Sequence, residues 1–245
     1  MDYSKPTLLV IAGPNGSGKS TNIHFMLPDG FEGAIPFDRD KTRTDFEKEL
    51  YKENRGSEDI LKLAAQKMEN YLIEKMDEAI KCNAHFVLET PLSHPDYWRY
   101  IDKFQNKGYQ IQLNYLCLDK ISNCIQRVAQ RVREGGHNVD VRTIKGVYDM
   151  NLKYVNEFLS TFRHIELYDG SKKPIRLVIM EDNKILVASD VAMKKAWIKN
   201  GLTEIFKMIK VFLEEKQLVA KATQRRLKPS DDDEPSTGKS RGFKL

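Results

Sequence analysis

The residue pattern of this chain predicts an α/β fold, a three-layer sandwich around a mainly parallel sheet, and two observations carry that expectation. Strand-like and helix-like segments alternate from the N-terminus to about residue 170, as in a parallel sheet covered by helices. In addition, the apolar run Leu8-Leu9-Val10-Ile11-Ala12 leads directly into Gly13-Pro14-Asn15-Gly16-Ser17-Gly18-Lys19-Ser20-Thr21, a complete phosphate-binding loop of the form G-x-x-x-x-G-K-S/T. A strand before that loop and a helix start after it are the context the loop requires, which narrows the expectation to a P-loop NTPase sandwich.

The elements follow in order. A buried strand covers residues 7–12, and the helix opened by Lys19 runs to about Met26, where Pro28-Asp29-Gly30 ends it. Residues 33–38 read as a short second strand, and the charged stretch 39–56 contains a weak helix. Leu61, Ala64, Met68, Leu72, Met76 and Ala79 recur at three- and four-residue steps, so 58–81 is a long amphipathic helix with Ser57 as N-cap. After Asn83, residues 84–89 form a buried strand ending in the carboxylate of Glu89. A helix over 95–106 stops at Lys107-Gly108, and a strand follows at 110–118.

Ile121, Cys124, Ile125, Val128 and Val132 mark the next helix, terminated by Gly135-Gly136. Residues 140–162 are helical, and 164–168 form the last strand of the parallel core. Beyond it, 175–180 and 184–188 flank Glu181-Asp182-Asn183 as a β-hairpin at the domain edge, followed by a helix over 191–219. The organisation is therefore a core at 1–171 with a lid near 127–140, a C-terminal hairpin and helix at 172–222, and a charged, Pro- and Gly-bearing tail at 223–245 expected to be disordered.

Composition narrows the function classes. The 245 residues fit one α/β domain of about 200 residues with an extension. Lys and Arg number 40 against 35 Asp and Glu; the +5 balance is too small and too scattered to argue for nucleic-acid binding. Cys82, Cys117 and Cys124 lack metal-ligand or disulfide spacing. No apolar run approaches the roughly 20 residues of a membrane span, and none reads as a signal peptide, so the cytoplasm is the expected compartment.

In a loop of this form, residues 13–21 cradle a polyphosphate with backbone N–H groups, Lys19 reaches the β- and γ-phosphates, and the Ser20 hydroxyl coordinates Mg²⁺. The polar residues at strand ends must decide the chemistry, because functional groups gather at the carboxyl ends of parallel strands. Asp38 ends the second strand, where an acceptor hydroxyl would meet the γ-phosphate and an Asp could take its proton; Asp40 is a neighbouring candidate. The alternative for either is a solvated turn or a helix cap. Glu89 suits a metal ligand or an acceptor contact, with Thr90 beside it, or else a cap of the following turn. Arg127, Arg131 and Arg133, followed by Glu134-Gly135-Gly136-His137, suit a hinged lid that neutralises transferring charge, or a solvated helix face. Asp169-Gly170-Ser171, leaving the last strand, is expected beside the adenine.

Taken together, AGPNGSGKST after a strand, Ile35-Pro36-Phe37-Asp38, Phe86-Val87-Leu88-Glu89-Thr90 and the segment from Arg127 to His137 resemble the zeta toxin family of P-loop kinases, over residues 7–171 and in particular its compact bacterial members. The resemblance implies phosphorylation of a sugar hydroxyl by ATP or GTP with Mg²⁺, the substrate in characterised toxins being UDP-N-acetylglucosamine. It implies phosphate and metal roles for Lys19 and Ser20, a catalytic base at Asp38, acceptor contacts at Glu89 and Thr90, and lid arginines at 127 with 131 or 133. An antitoxin protein enters as a candidate partner. The Asp-Arg-Asp at 38–40 and the short acceptor region depart from the larger toxins, so fold and phosphoryl chemistry transfer better than the acceptor does. The runner-up is a nucleotide-dependent switch or nucleic-acid-associated ATPase that needs no acceptor.

Overall fold

The computed structural model describes residues 1–31, 33–53, 57–136 and 138–227. Among these, seven strands, β1 (Thr7–Ala12), β2 (Phe37–Asp38), β3 (Phe86–Glu89), β4 (Gln110–Cys117), β5 (His164–Asp169), β6 (Ile175–Glu181) and β7 (Lys184–Ala188), form one sheet in the order β2-β3-β1-β4-β5-β6-β7. The first five run parallel, and β6 and β7 extend the sheet antiparallel. The central strand β1 is fully buried, as its unbroken apolar run requires. The β6–β7 hairpin turns on Asp182 and Asn183, both at positive φ (47° and 57°), which matches the right-handed twist of the strands it joins.

Helices flank this mainly parallel sheet: α1 (Lys19–Asn22), α2 (Arg39–Lys52), α3 (Ser57–Lys81), α4 (Trp98–Gln105), α5 (Ile121–Arg133), α6 (Val141–Glu157), α7 (Ala196–Gly201) and α8 (Thr203–Leu227). One face carries the main core, with Leu8, Val10, Leu88, Leu113 and Leu167 packed against α3 to α8. The other face is covered more thinly: Leu9, Ile11, Val87 and Leu116 meet Met26 and Phe31 from the segment after α1. On that face β4 places Gln112 and Asn114, and Asn114 donates to the Met26 carbonyl at 2.5 Å, fixing the end of the segment that follows the phosphate loop.

Several boundaries differ from the expectation. The helix after the phosphate loop stops at Asn22 instead of Met26 and continues as a 3₁₀ turn over Ile23–Phe25; the Gly18 carbonyl accepts both the backbone N–H and the side-chain amide of Asn22. The second strand shrinks from 33–38 to Phe37–Asp38 because Pro36 has no N–H and Ala34 closes a turn on the Phe31 carbonyl. In α3 the buried stripe starts at Ile60, and Leu61 is exposed. The N-cap expected of Ser57 rests on a side chain outside the described residues.

The helix expected over 191–219 is broken into a 3₁₀ turn, α7 and α8. The break between α7 and α8 falls at Leu202 (φ −113°, ψ 59°), just after Gly201, where a Cβ would lie 2.7 Å from Leu152 Cδ1, so α6 packs closely against the end of α7. Residues 223–227, placed in the disordered tail by composition, are the last turn of α8, and 228–245 lie outside the described residues. No helix among the described residues is long and apolar enough to cross a membrane.

Candidate active site

Three sequence segments converge at the carboxyl end of the parallel strands. The phosphate loop leaves β1 between β3 and β4, and two of its glycines are demanded by packing as well as by turn geometry. At Gly13 (φ 144°) a Cβ would stand 2.0 Å from the Leu116 carbonyl oxygen, and at Gly16 (φ 79°) 2.3 Å from that of Cys124. The loop thus nests against the backbones of β4 and α5. Ser17 N closes it on the Pro14 carbonyl at 3.1 Å, and Lys19 Nζ folds over it to the carbonyls of Gly13 (2.9 Å) and Pro14 (3.3 Å).

Strand β3 brings the second segment. Ser20 Oγ donates to Glu89 Oε1 at 2.9 Å, joining the first turn of α1 to the end of β3. Glu89 is buried, and burial holds its carboxyl above the usual range; Asp38 and Asp40 push the same way, against the pull of Lys19 and the Ser20 hydrogen bond. Thr90 is buried as well, with its hydroxyl lacking a partner among the described residues. The pair Ser20 and Glu89 fits a Mg²⁺ ion, which takes one or two protein oxygens and fills its remaining positions with phosphate and water. Among the described residues, no group of three or more His, Cys, Asp or Glu side chains could hold a metal by itself.

Strand β2 brings the third. Asp38 is the register partner of Glu89, so both side chains leave the sheet on one face at its carboxyl edge. Asp38 Oδ1 accepts from Lys41 N at 3.0 Å and caps α2. Capping and site placement coincide, since Asp38 also lines the cleft of ≈640 Å³ shared with Lys19, Ser20, Asp40 and Glu89. The far wall of that cleft is α5, which contributes Arg127, Gln130 and Arg131.

The family model described as Zeta toxin matches residues 1–185. The chain belongs to the zeta toxin family. No curated protein matches it. Among solved structures, a chain of the PezAT chromosomal toxin–antitoxin system of the human pathogen Streptococcus pneumoniae is 19% identical, covering 84% of this chain and 88% of that one at a TM-score of 0.50. A chain of the AvrRxo1-ORF1:ORF2 complex is 13% identical, covering 78% of this chain and 64% of that one at 0.53. The same complex with ATP gives 14% identity, 78% and 64% coverage, and 0.52. At such identities the likeness is one of fold. Membership in the zeta toxin family, on a P-loop kinase architecture, supports a nucleotide-dependent phosphotransferase.

Within this zeta toxin fold the expected residues separate into two groups. Asn15, Gly16, Gly18, Lys19, Ser20, Thr21, Asp38, Asp40, Glu89, Arg127 and Arg131 share the cleft, and Thr90 lines the small pocket that adjoins it. Arg133 does not line the cleft; it is exposed in the last turn of α5. Ser17 turns its buried side chain inward, where its hydroxyl finds no partner among the described residues. Asp169 does not line the cleft either: Oδ1 accepts from Ser171 N (3.1 Å) and Oγ (2.7 Å), and Oδ2 from Lys195 Nζ (2.5 Å). His137 lies outside the described residues.

Two features correct or extend the reading of the arginine segment. Gly135 (φ 85°) donates to the Val132 carbonyl and Gly136 to that of Arg131, the double bond pattern of a Schellman helix stop, so these glycines terminate α5. Arg127 spans two carbonyls, Nη1 to Ser17 at 3.1 Å and Nη2 to Ser171 at 2.9 Å, clasping the phosphate loop to the exit of β5. Sequence reasoning missed Arg39, Arg43 and Tyr97, which line the pocket beside Asp38 and Glu89. Arg39 stacks over the rings of Tyr97 (4.8 Å) and Tyr100 (5.0 Å) and pairs with Glu69 at 3.5 Å. The four-residue step from Arg39 to Arg43, starting right after Asp38, was the available signal; nothing local marks Tyr97.

Proposed function

We propose that this zeta toxin family protein transfers the γ-phosphoryl group of ATP or GTP to a hydroxyl of a small molecule, with a nucleotide sugar such as UDP-N-acetylglucosamine as the leading acceptor class. The observation that carries the reading is the register of Asp38 with Glu89, which puts a carboxylate beside the Ser20–Glu89 pair in the cleft that holds Lys19. The loop amides and Lys19 hold the β- and γ-phosphates, and Ser20 with Glu89 holds Mg²⁺, which neutralises charge on the phosphates. Asp38 orients the acceptor hydroxyl and takes its proton as the oxygen attacks phosphorus. Arg127 and Arg131 face the same cleft from α5 and favour charge developing on the transferring group. Glu89, Thr90 and Asp40, with Arg39 and Arg43, bound the acceptor side.

The architecture seen in the PezAT toxin–antitoxin system and in the AvrRxo1-ORF1:ORF2 complex supports an antitoxin protein as a partner. The test of the enzyme reading is direct. Incubated with ATP, Mg²⁺ and a panel of nucleotide sugars, the protein is expected to add one phosphoryl group to a panel member, detected by mass. ATP hydrolysis with every acceptor unmodified would contradict the nucleotide-sugar assignment.

A further inference from the structure

The exit of β5 lies directly on the phosphate loop. Gly170 N donates to the Cys117 carbonyl, and a Cβ at Gly170 would stand 2.8 Å from the Ser17 carbonyl oxygen. Asp169 shapes this exit by accepting both the N–H and the hydroxyl of Ser171, which turns the Ser171 carbonyl toward Arg127; the other end of the same guanidinium holds Ser17. What holds Asp169 in turn is Lys195, whose ammonium meets Oδ2 at 2.5 Å with both side chains largely buried. Lys195 precedes α7, and the next residue, Ala196, donates its N–H to Asp119 Oδ1 at 2.7 Å, just past the end of β4. Residue 195 lies beyond the family match, which ends at 185.

We infer that Lys195 is a positioning residue of the nucleotide site: acting through Asp169, Ser171 and Arg127, it holds the phosphate loop in its binding conformation from a segment outside the family-matching region. A buried carboxylate deprived of its ammonium partner takes up a proton or turns toward water. Either response loosens the Ser171 turn and removes one of the two anchors of Arg127. The inference rests on the reading of residues 13–21 as the nucleotide site.

Titration calorimetry of the full chain with Mg-ATP tests it. Lys195→Met is expected to bind about tenfold more weakly, and Lys195→Arg within about threefold of wild type. A residue that merely stabilises the fold would weaken binding independently of Arg127, so Lys195→Met is also combined with Arg127→Met. The pair is expected to bind no more weakly than Arg127→Met alone. Wild-type affinity in folded Lys195→Met, or additive losses in the pair, would overturn the inference. If Lys195→Met does not fold, Asp169→Asn/Lys195→Met, which removes both charges, carries the test: the same loss is expected, and wild-type affinity overturns the inference. Failure of the wild-type protein itself to bind nucleotide would defeat the underlying site reading.

Discussion

Ser20 Oγ and Glu89 Oε1 stand 2.9 Å apart, so the hydroxyl of the phosphate-loop helix and the carboxylate ending β3 form one unit at the carboxyl edge of the sheet. Burial of that carboxylate, against which the Ser20 hydrogen bond pulls, works against stability. Burial raises the Glu89 pKa, so the stability linked to this group is fully present below the unfolded pKa and is lost as pH rises through the folded one. Above the folded pKa the ionised carboxylate therefore subtracts from folding. Glu89→Gln is expected to unfold at higher urea than wild type at pH 7, with the difference vanishing near pH 4, while Mg²⁺-supported turnover falls by at least about tenfold. Equal stability at both pH values would contradict the burial argument.

Two glycines separate backbone strain from crowding. Gly16 and Gly33 have nearly the same φ, 79° and 78°, but a Cβ at Gly16 meets the Cys124 carbonyl oxygen at 2.3 Å, and one at Gly33 meets nothing within 4 Å. Gly33→Ala is expected to cost only the left-handed strain, about 1–2 kcal/mol. Gly16→Ala adds overpacking and is expected to cost about 2–5 kcal/mol in chemical denaturation. Equal costs would mean that the loop does not nest against α5 as closely as the distances require.

Arg127 reaches two carbonyls with one planar group, a geometry that lysine cannot copy. Arg127→Lys is expected to weaken Mg-ATP binding about tenfold. Arg133→Ala, outside the cleft, is expected to stay within about twofold of wild type. The reverse order in a binding titration would restore Arg133 to the site and remove Arg127.

Local patterns were legible where one segment determines its own structure. The phosphate loop, the stripe of α3, the turn at Asp182-Asn183 and the strand-end positions of Asp38 and Glu89 all follow from spacing and turn chemistry within a few residues. What escaped depends on contacts between distant segments. Gly201, the last residue of α7, is packed against Leu152 of α6, and Asp169 is taken up by Lys195, 26 positions along the chain. Arg127 was legible as a candidate that the structure places in the cleft, but its bonding to two backbone carbonyls was not, since a carbonyl leaves no trace in residue identity. For Asp38, capping and chemistry had stood as alternatives; the structure joins the cap to a place in the cleft, since Oδ1 caps α2 at the cleft's edge.

That double position makes Asp38→Asn the sharpest variant. Asparagine caps a helix as well as aspartate does, so the fold and Mg-ATP affinity are expected to stay at wild-type values. It cannot accept the acceptor's proton as a carboxylate does, and loss of a general base costs roughly 10²–10⁴ in rate. The decisive measurement is the rate of phosphoryl transfer from ATP to the acceptor, by mass, in wild type and Asp38→Asn at saturating nucleotide. A loss of roughly 10²-fold or more with unchanged ATP affinity is the expected result; transfer by Asp38→Asn at the wild-type rate would contradict the account.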